Sequence, residues 1–277
     1  MAFKNFSGKT RWAILVCATL VFSVGMIFSR VSDVKADKPP KAEDIVERTI
    51  LAYGSRAAVY AVQRNGTLRA LVKYITPEGP REGKIITRFI RKEKLKDDLR
   101  IIEQDFPGTR YLLGFDGKEV WSILNDKVEK ASEEEIRAFR SAHEHSYESL
   151  LRYKENNSKL EYVGNTKLLN LEMDIIDLIS AEGVRTRYEI SRKSGRILYL
   201  NYEEKPDENA EPVKYRLNFK DFRVIQNTLI PYETLVFQDG KLVEERKIVE
   251  AVFNVQLKED AFTAENASKP ADAAVKQ

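Results

Sequence analysis

Cysteine is nearly absent: Cys17 is the only one in 277 residues. It lies inside an apolar run, so the rest of the chain has no thiol for a disulfide, a thiolate metal ligand or a nucleophile. The fold must hold through a packed core. A lipid-modified cysteine is excluded because Val16 is bulky where a small residue is needed, and the apolar run continues past Cys17. Histidine is also scarce. His143 and His145 are the only two, in the triplet "HEH". On a helix, residues two apart point about 200° from one another, so the pair does not share a metal. The zinc-protease spacing would place a second histidine at 147, where the chain has Tyr147. The pattern predicts His143 on an apolar stripe and His145 in water. There is no Gly-x-Ser-x-Gly elbow and no phosphate-binding glycine loop. The acidic pairs Asp97-Asp98 and Asp174/Asp177 carry no sign of a shared site. No catalytic residue, metal or cofactor is expected, and the reading is non-enzymatic.

Long apolar runs are absent too, except one. Trp12–Phe28 is uncharged and apolar, preceded by Lys4, Lys9 and Arg11 and followed by Val34 and Ala36 at small-residue cleavage positions. Residues 1–36 therefore read as an export signal cleaved after Ala36, with a retained inner-membrane anchor as the alternative. Either places the body in the periplasm. The leader holds five basic residues (Lys4, Lys9, Arg11, Arg30 and Lys35) against Asp33. The chain's formal charge of +3 thus becomes −1 for the remainder. A basic surface for nucleic acid is not supported.

What the body has in quantity is strand pattern. After a linker at 37–42, "EDIVERTILAYG" reads as a short helix stopped by Gly54. β-branched and aromatic runs follow, with "TPEGPREG" as a loop. "FDGKEVW", Phe115 to Trp121, reads as a two-residue Asp-Gly turn between apolar strands, and Asp239-Gly240 as a second. One long helix is expected from Ser132 to about Tyr153, opened by the capping box "SEEE". "VRTRYEIS" alternates, with Val184, Thr186, Tyr188 and Ile190 on one face. In "RILYLNY", Ile197 and Tyr199 share one face and Leu198, Leu200 and Tyr202 the other. The order is a helix, four or five strands, a helix, then about six strands. Short connections make the strands antiparallel, and a sheet this wide curls or closes. The 13 Phe, 12 Tyr and 2 Trp are core material, or one apolar face open to an acyl chain.

From Ala42 to Phe262 the succession "LRIIEQDFPGTRYLLGFDGKEVW", a central helix, "YVGNTKLLNLEMDIIDL", "GVRTRYEISRKSGRILYL", "FKDFRVIQNTLIP" and "VFNVQLKEDAF" resembles the outer-membrane lipoprotein-sorting (LolA-like) proteins. The resemblance implies a mainly β fold with flanking helices (α+β). Its strongly curved antiparallel sheet would form an unclosed barrel under a helical cover, over residues 43–262; residues 263–277, small and polar with no period, read as a disordered tail. It implies a periplasmic carrier of lipoprotein acyl chains or other lipid, serving inner- and outer-membrane sorting proteins, with transient membrane contact. The alternative on the same fold is a protein-interaction or stress-sensing module. Phe89, Ile101, Leu113, Trp121, Tyr188, Tyr199, Leu217 and Phe219 are the apolar cavity candidates. Arg100, in "LR", matches the family's gating arginine. Which sheet face lines the cavity stays open, as does whether Trp121 plugs it.

Overall fold

The computed structural model describes residues 40–205 and 210–268, which belong to one compact unit. The expected export leader lies outside the described residues, as do residues 269–277 of the expected tail. Helix α1 (Ala42–Ala52) buries Ile45, Val46, Thr49 and Ile50 along one side, with Glu43 and Asp44 at its positive end. Gly54 turns the chain at φ +117°. Ser55 then caps α2 (Arg56–Val62) by accepting the Ala58 N–H.

Six strands follow as a meander: β1 (Asn65–Thr76), β2 (Gly79–Ile90), β3 (Leu99–Phe106), β4 (Thr109–Phe115), β5 (Val120–Leu124) and β6 (Lys127–Lys130). The expected loop "TPEGPREG" shrinks to Pro77-Glu78, because β2 already pairs with β1 at Gly79. The Asp-Gly turn is longer than the two residues expected. Phe115 pairs with Val120, and Asp116 Oδ1 accepts the N–H groups of Lys118 at 2.8 Å and Glu119 at 3.0 Å.

The expected single helix is two: α3 (Glu133–Glu144) and α4 (Tyr147–Leu151). The capping box at Ser132 and Glu135 is present. The break comes at His145, whose ψ of 62° leaves the helical range, and Ser146 caps the new start. Seven strands complete the chain: β7 (Lys159–Leu168), β8 (Leu171–Ile179), β9 (Arg185–Ser191), β10 (Ile197–Glu204), β11 (Val213–Ile225), β12 (Thr228–Gln238) and β13 (Lys241–Phe253). Asp239 and Gly240 form the expected two-residue hairpin turn. A 3-10 turn (Glu259–Phe262) and α5 (Ala264–Ala267) close the described chain. That short helix falls in the stretch expected to be disordered, and Phe262 and Ala267 are buried.

All 13 strands form one antiparallel sheet in the order β6-β5-β4-β3-β2-β1-β13-β12-β11-β10-β9-β8-β7. The edge strands β6 and β7 do not pair among the described residues, so the barrel is unclosed. The curl follows from α3. Its Phe139 packs with Leu113 of β4, and Ser141 Oγ donates to Glu204 of β10 at 2.9 Å. Those strands are seven steps apart, about 34 Å on a flat sheet. A helix of 12 residues is about 18 Å long. The sheet therefore wraps α3, and the face that bears α3 is the inner one.

Candidate functional site

Strand alternation sorts the side chains of the middle strands. Residues directly opposite in antiparallel pairs share a face, so Leu68, Ala70, Val72 and Tyr74 of β1 face inward with Ile85 of β2, Ile102 of β3, and Arg246 and Ile248 of β13. Val236 of β12 and Leu217 of β11 continue this face. Val72, Ile85 and Phe106 are buried there. Tyr74, Ile102, Leu217, Val236 and Ile248 are only half-buried. Arg246 reaches Glu244 at 2.6 Å in the same region, with 43% of its side chain accessible. Tyr74 stacks on Phe106 with centroids 5.5 Å apart. Burial and the nearby Glu244 push its hydroxyl pKa up to about 12.

The cover over this face is held at three places. At its start, Phe139 of α3 and Ala131, just before the helix, pack against Leu113 and Val120. At its end, His145 stacks on Tyr202 at 3.8 Å, and Tyr202 stacks on Tyr215 at 4.8 Å. The His145 Nδ1 lies 2.7 Å from Thr186 Oγ1. His145 is thus buried, not in water as its sequence position suggests, and burial lowers its pKa to about 4. The Tyr188 hydroxyl donates to the Ser146 carbonyl at 2.8 Å, directly at the helix break.

The third place is ionic. Glu148 of α4 receives Arg91 at 2.7 Å and Arg100 at 3.3 Å. Beside it, Arg152 meets Asp98 at 2.6 Å and donates to the Lys92 carbonyl at 2.7 Å. The His143 Nε2–H donates to the Leu95 carbonyl at 2.8 Å and lies 3.5 Å from Asp98. Burial opposes the charge on Glu148, but Arg91 and Arg100 outweigh it and bring its pKa to about 2. Burial likewise opposes charge on Asp98, and its hydrogen bond with His143 and the Arg152 charge keep its pKa below the usual carboxylate value. For His143, burial and then the Arg100 charge lower the pKa against the pull of Asp98. The neutral ring, held by one nitrogen on a carbonyl, is a structural histidine. The two histidines have different partners, His143 in the connection between β2 and β3 and His145 on β9 and β10.

No family model matches the chain, and no curated protein matches it in sequence. Solved structures do. A domain described as an outer membrane lipoprotein-sorting protein from Vibrio parahaemolyticus superposes with a TM-score of 0.56 at 13% identity, covering 83% of this chain and 100% of its own. A DUF1329 family protein from Desulfovibrio piger gives 0.59 at 13% identity, over 81% and 98%. A LolA superfamily protein from Nitrosomonas europaea gives 0.54 at 9% identity, over 81% and 98%. The fold is LolA-like.

Within this LolA-like fold the cavity candidates divide. Leu113, Tyr188, Leu217 and Phe219 face inward. Phe89 does too, packed with Phe253, Ile230 and Tyr232 under α2. Ile101 and Trp121 are on the outer face, in a separate core with Leu112, Ile123, Phe262 and Ala267. Trp121 is a plug, but for the back of the sheet: its Nε1–H donates to the Phe262 carbonyl at 2.9 Å. Tyr199 is also outside, under the Arg216 guanidinium at 4.0 Å. The register shifts between Ile197 and Tyr199, so these two do not share a face as simple alternation predicts. Arg100, the gating candidate, is inside and reaches the cover through Glu148. Tyr74, Ile102, Val236, Ile248 and the Glu244–Arg246 pair escaped sequence reasoning. The run "KLVEERKIV" looks like a solvated strand until its partners are known. Among the described residues, no helix is long and apolar enough to cross a membrane.

Proposed function

We propose that this chain is a non-enzymatic periplasmic binding protein that shelters acyl chains, of lipoproteins or of other lipids, against the inner face of the sheet. The observation that carries this reading is that Tyr74, Ile102, Leu217, Val236 and Ile248 lie half-buried on the inner face of the sheet. An acyl chain needs length and dryness rather than catalytic groups, and each methylene removed from water contributes about 0.8 kcal/mol. Helix α3 buries only Phe139, Ser141 and His143. A helix so thinly packed is suited to lift, and the Arg100–Glu148 contact supports a gating role for Arg100 by tying the cover to β3. Membrane-bound sorting proteins that deliver and receive the lipid are the partners this reading calls for.

The test is native mass spectrometry of the protein purified from cells, paired with displacement of an apolar fluorescent dye. Co-purified lipid mass and saturable dye binding are expected, with dye affinity falling about tenfold or more in Val236→Asp. A protein that carries no lipid and binds no dye would end the proposal.

A further inference from the structure

The turn between β7 and β8 breaks a rule of turn chemistry. Its φ is +55° at Leu169, where glycine or asparagine is usual. Leu169 is also 86% exposed, and its neighbours Leu168 and Leu171 are each 44% exposed. None of these three leucines belongs to a core cluster among the described residues. The apex also overhangs its neighbour: pairing of β8 with β9 begins at Met173 and Ser191, and the last link is the Arg192 N–H to the Glu172 carbonyl. Residues 168–171 therefore project past this last link.

The surroundings are basic. Lys167 flanks the apex opposite the exposed Glu172, and the adjoining turn, which has no acidic residue, adds Arg192, Lys193 and Arg196, so the balance is positive. The buried Asp174 is already matched by Arg48 at 3.3 Å and Arg192 at 2.7 Å. That same turn rests on α1, where a side chain at Gly195 would come within 3.0 Å of Ala52. Next to Ala52, Leu51 is 68% exposed. An apolar tip inside a positive collar repels a second copy of itself and matches a surface that is anionic outside and apolar just beneath.

We propose that the β7–β8 apex is a membrane-docking finger that inserts Leu168, Leu169 and Leu171 into an anionic lipid surface, with Lys167, Lys193 and Arg196 at the headgroups. The site does not depend on what the inner face holds. A chain without lipid cargo would dock in the same way.

The single cysteine makes a clean test possible. In the full chain with Cys17→Ser, an environment-sensitive dye is placed through Asn170→Cys, and in a second protein through Asp239→Cys at the far end of β12. Vesicles of phosphatidylcholine are compared with vesicles containing one third phosphatidylglycerol. The dye at 170 is expected to shift to the blue and brighten severalfold on the anionic vesicles, while the dye at 239 stays unchanged. Leu169→Asn in the 170 background should weaken the response about tenfold or more. It should keep or raise the thermal midpoint, since asparagine suits this φ better than leucine. Lys167→Glu with Lys193→Glu should weaken it on anionic vesicles by a similar factor. No response at 170, an equal response at 239, or a response untouched by Leu169→Asn would overturn the proposal. A finger built to dock on another protein would give the first of these results.

Discussion

A single missing Cβ fixes the packing behind the sheet. A side chain at Gly114 would sit 2.2 Å from the Trp121 ring, so the indole lies flat on the β4 backbone. Gly114→Ala is expected to cost about 1–3 kcal/mol through overpacking, read as a lower urea midpoint at unchanged slope. His145 makes a second prediction. Burial holds its folded pKa at about 4, below the ordinary imidazole value of 6.5. The unfolded chain takes up the proton first, so stability is full above about pH 6.5 and is lost as the pH falls towards 4. The shift corresponds to about 3 kcal/mol. His145→Gln should flatten the pH dependence of unfolding free energy across that window. What could be read in the sequence here was chemistry local to a turn: Asp116 and Gly117 do bend the chain. What could not was burial, because the neighbours of His145, Tyr202 and Thr186, are separated from it by 57 and 41 positions.

Among the elements, the short α4 has a large part. In five residues it carries Glu148, which neutralises Arg91 from the end of β2 and Arg100 from β3. Glu148→Gln leaves two buried guanidinium groups without their counter-charge, and a loss of about 3–5 kcal/mol in unfolding free energy is expected. The same carboxylate should make the wild type lose stability as the pH drops from about 4.5 towards 2, a window below that of His145. Hydrogen exchange at the α4 amides should speed up in Glu148→Gln before the sheet amides respond. The sequence predicts the helical stretch and its first cap but not the interruption, since Ile136, Phe139, His143 and Tyr147 keep an unbroken helical spacing. Other contacts hold the break: Ser149 Oγ donates to the Glu144 carbonyl at 2.6 Å, satisfying a group the interruption frees, and Tyr188 donates to the Ser146 carbonyl. Strand β8 escapes notice for the opposite reason. Its leading turn, Leu169-Asn170, has neither glycine nor proline.

For the whole molecule, order and pattern are enough to expect an antiparallel sheet that curls or closes, and the helical cover is what the LolA-like resemblance adds. Structures with the same fold at 9% and 13% identity show how little of it depends on particular side chains. The inner face was not legible, because a strand's alternation says which residues stay together but not which set looks inward. One bulge at β10 moved Tyr199 to the other side. The sheet order has a further effect. The edges, β6 and β7, come from the middle of the chain, whereas the central pair, β1 and β13, comes from its two ends. A protease cut between β6 and β7 would leave every ladder intact. Loss of the last strand would instead split the sheet into two halves, each with a long raw edge. Because β13 follows the other twelve described strands in the chain, the nascent protein holds two unjoined half-sheets until β13 arrives, and the contact that joins them links residues as far apart as Gly66 and Phe253.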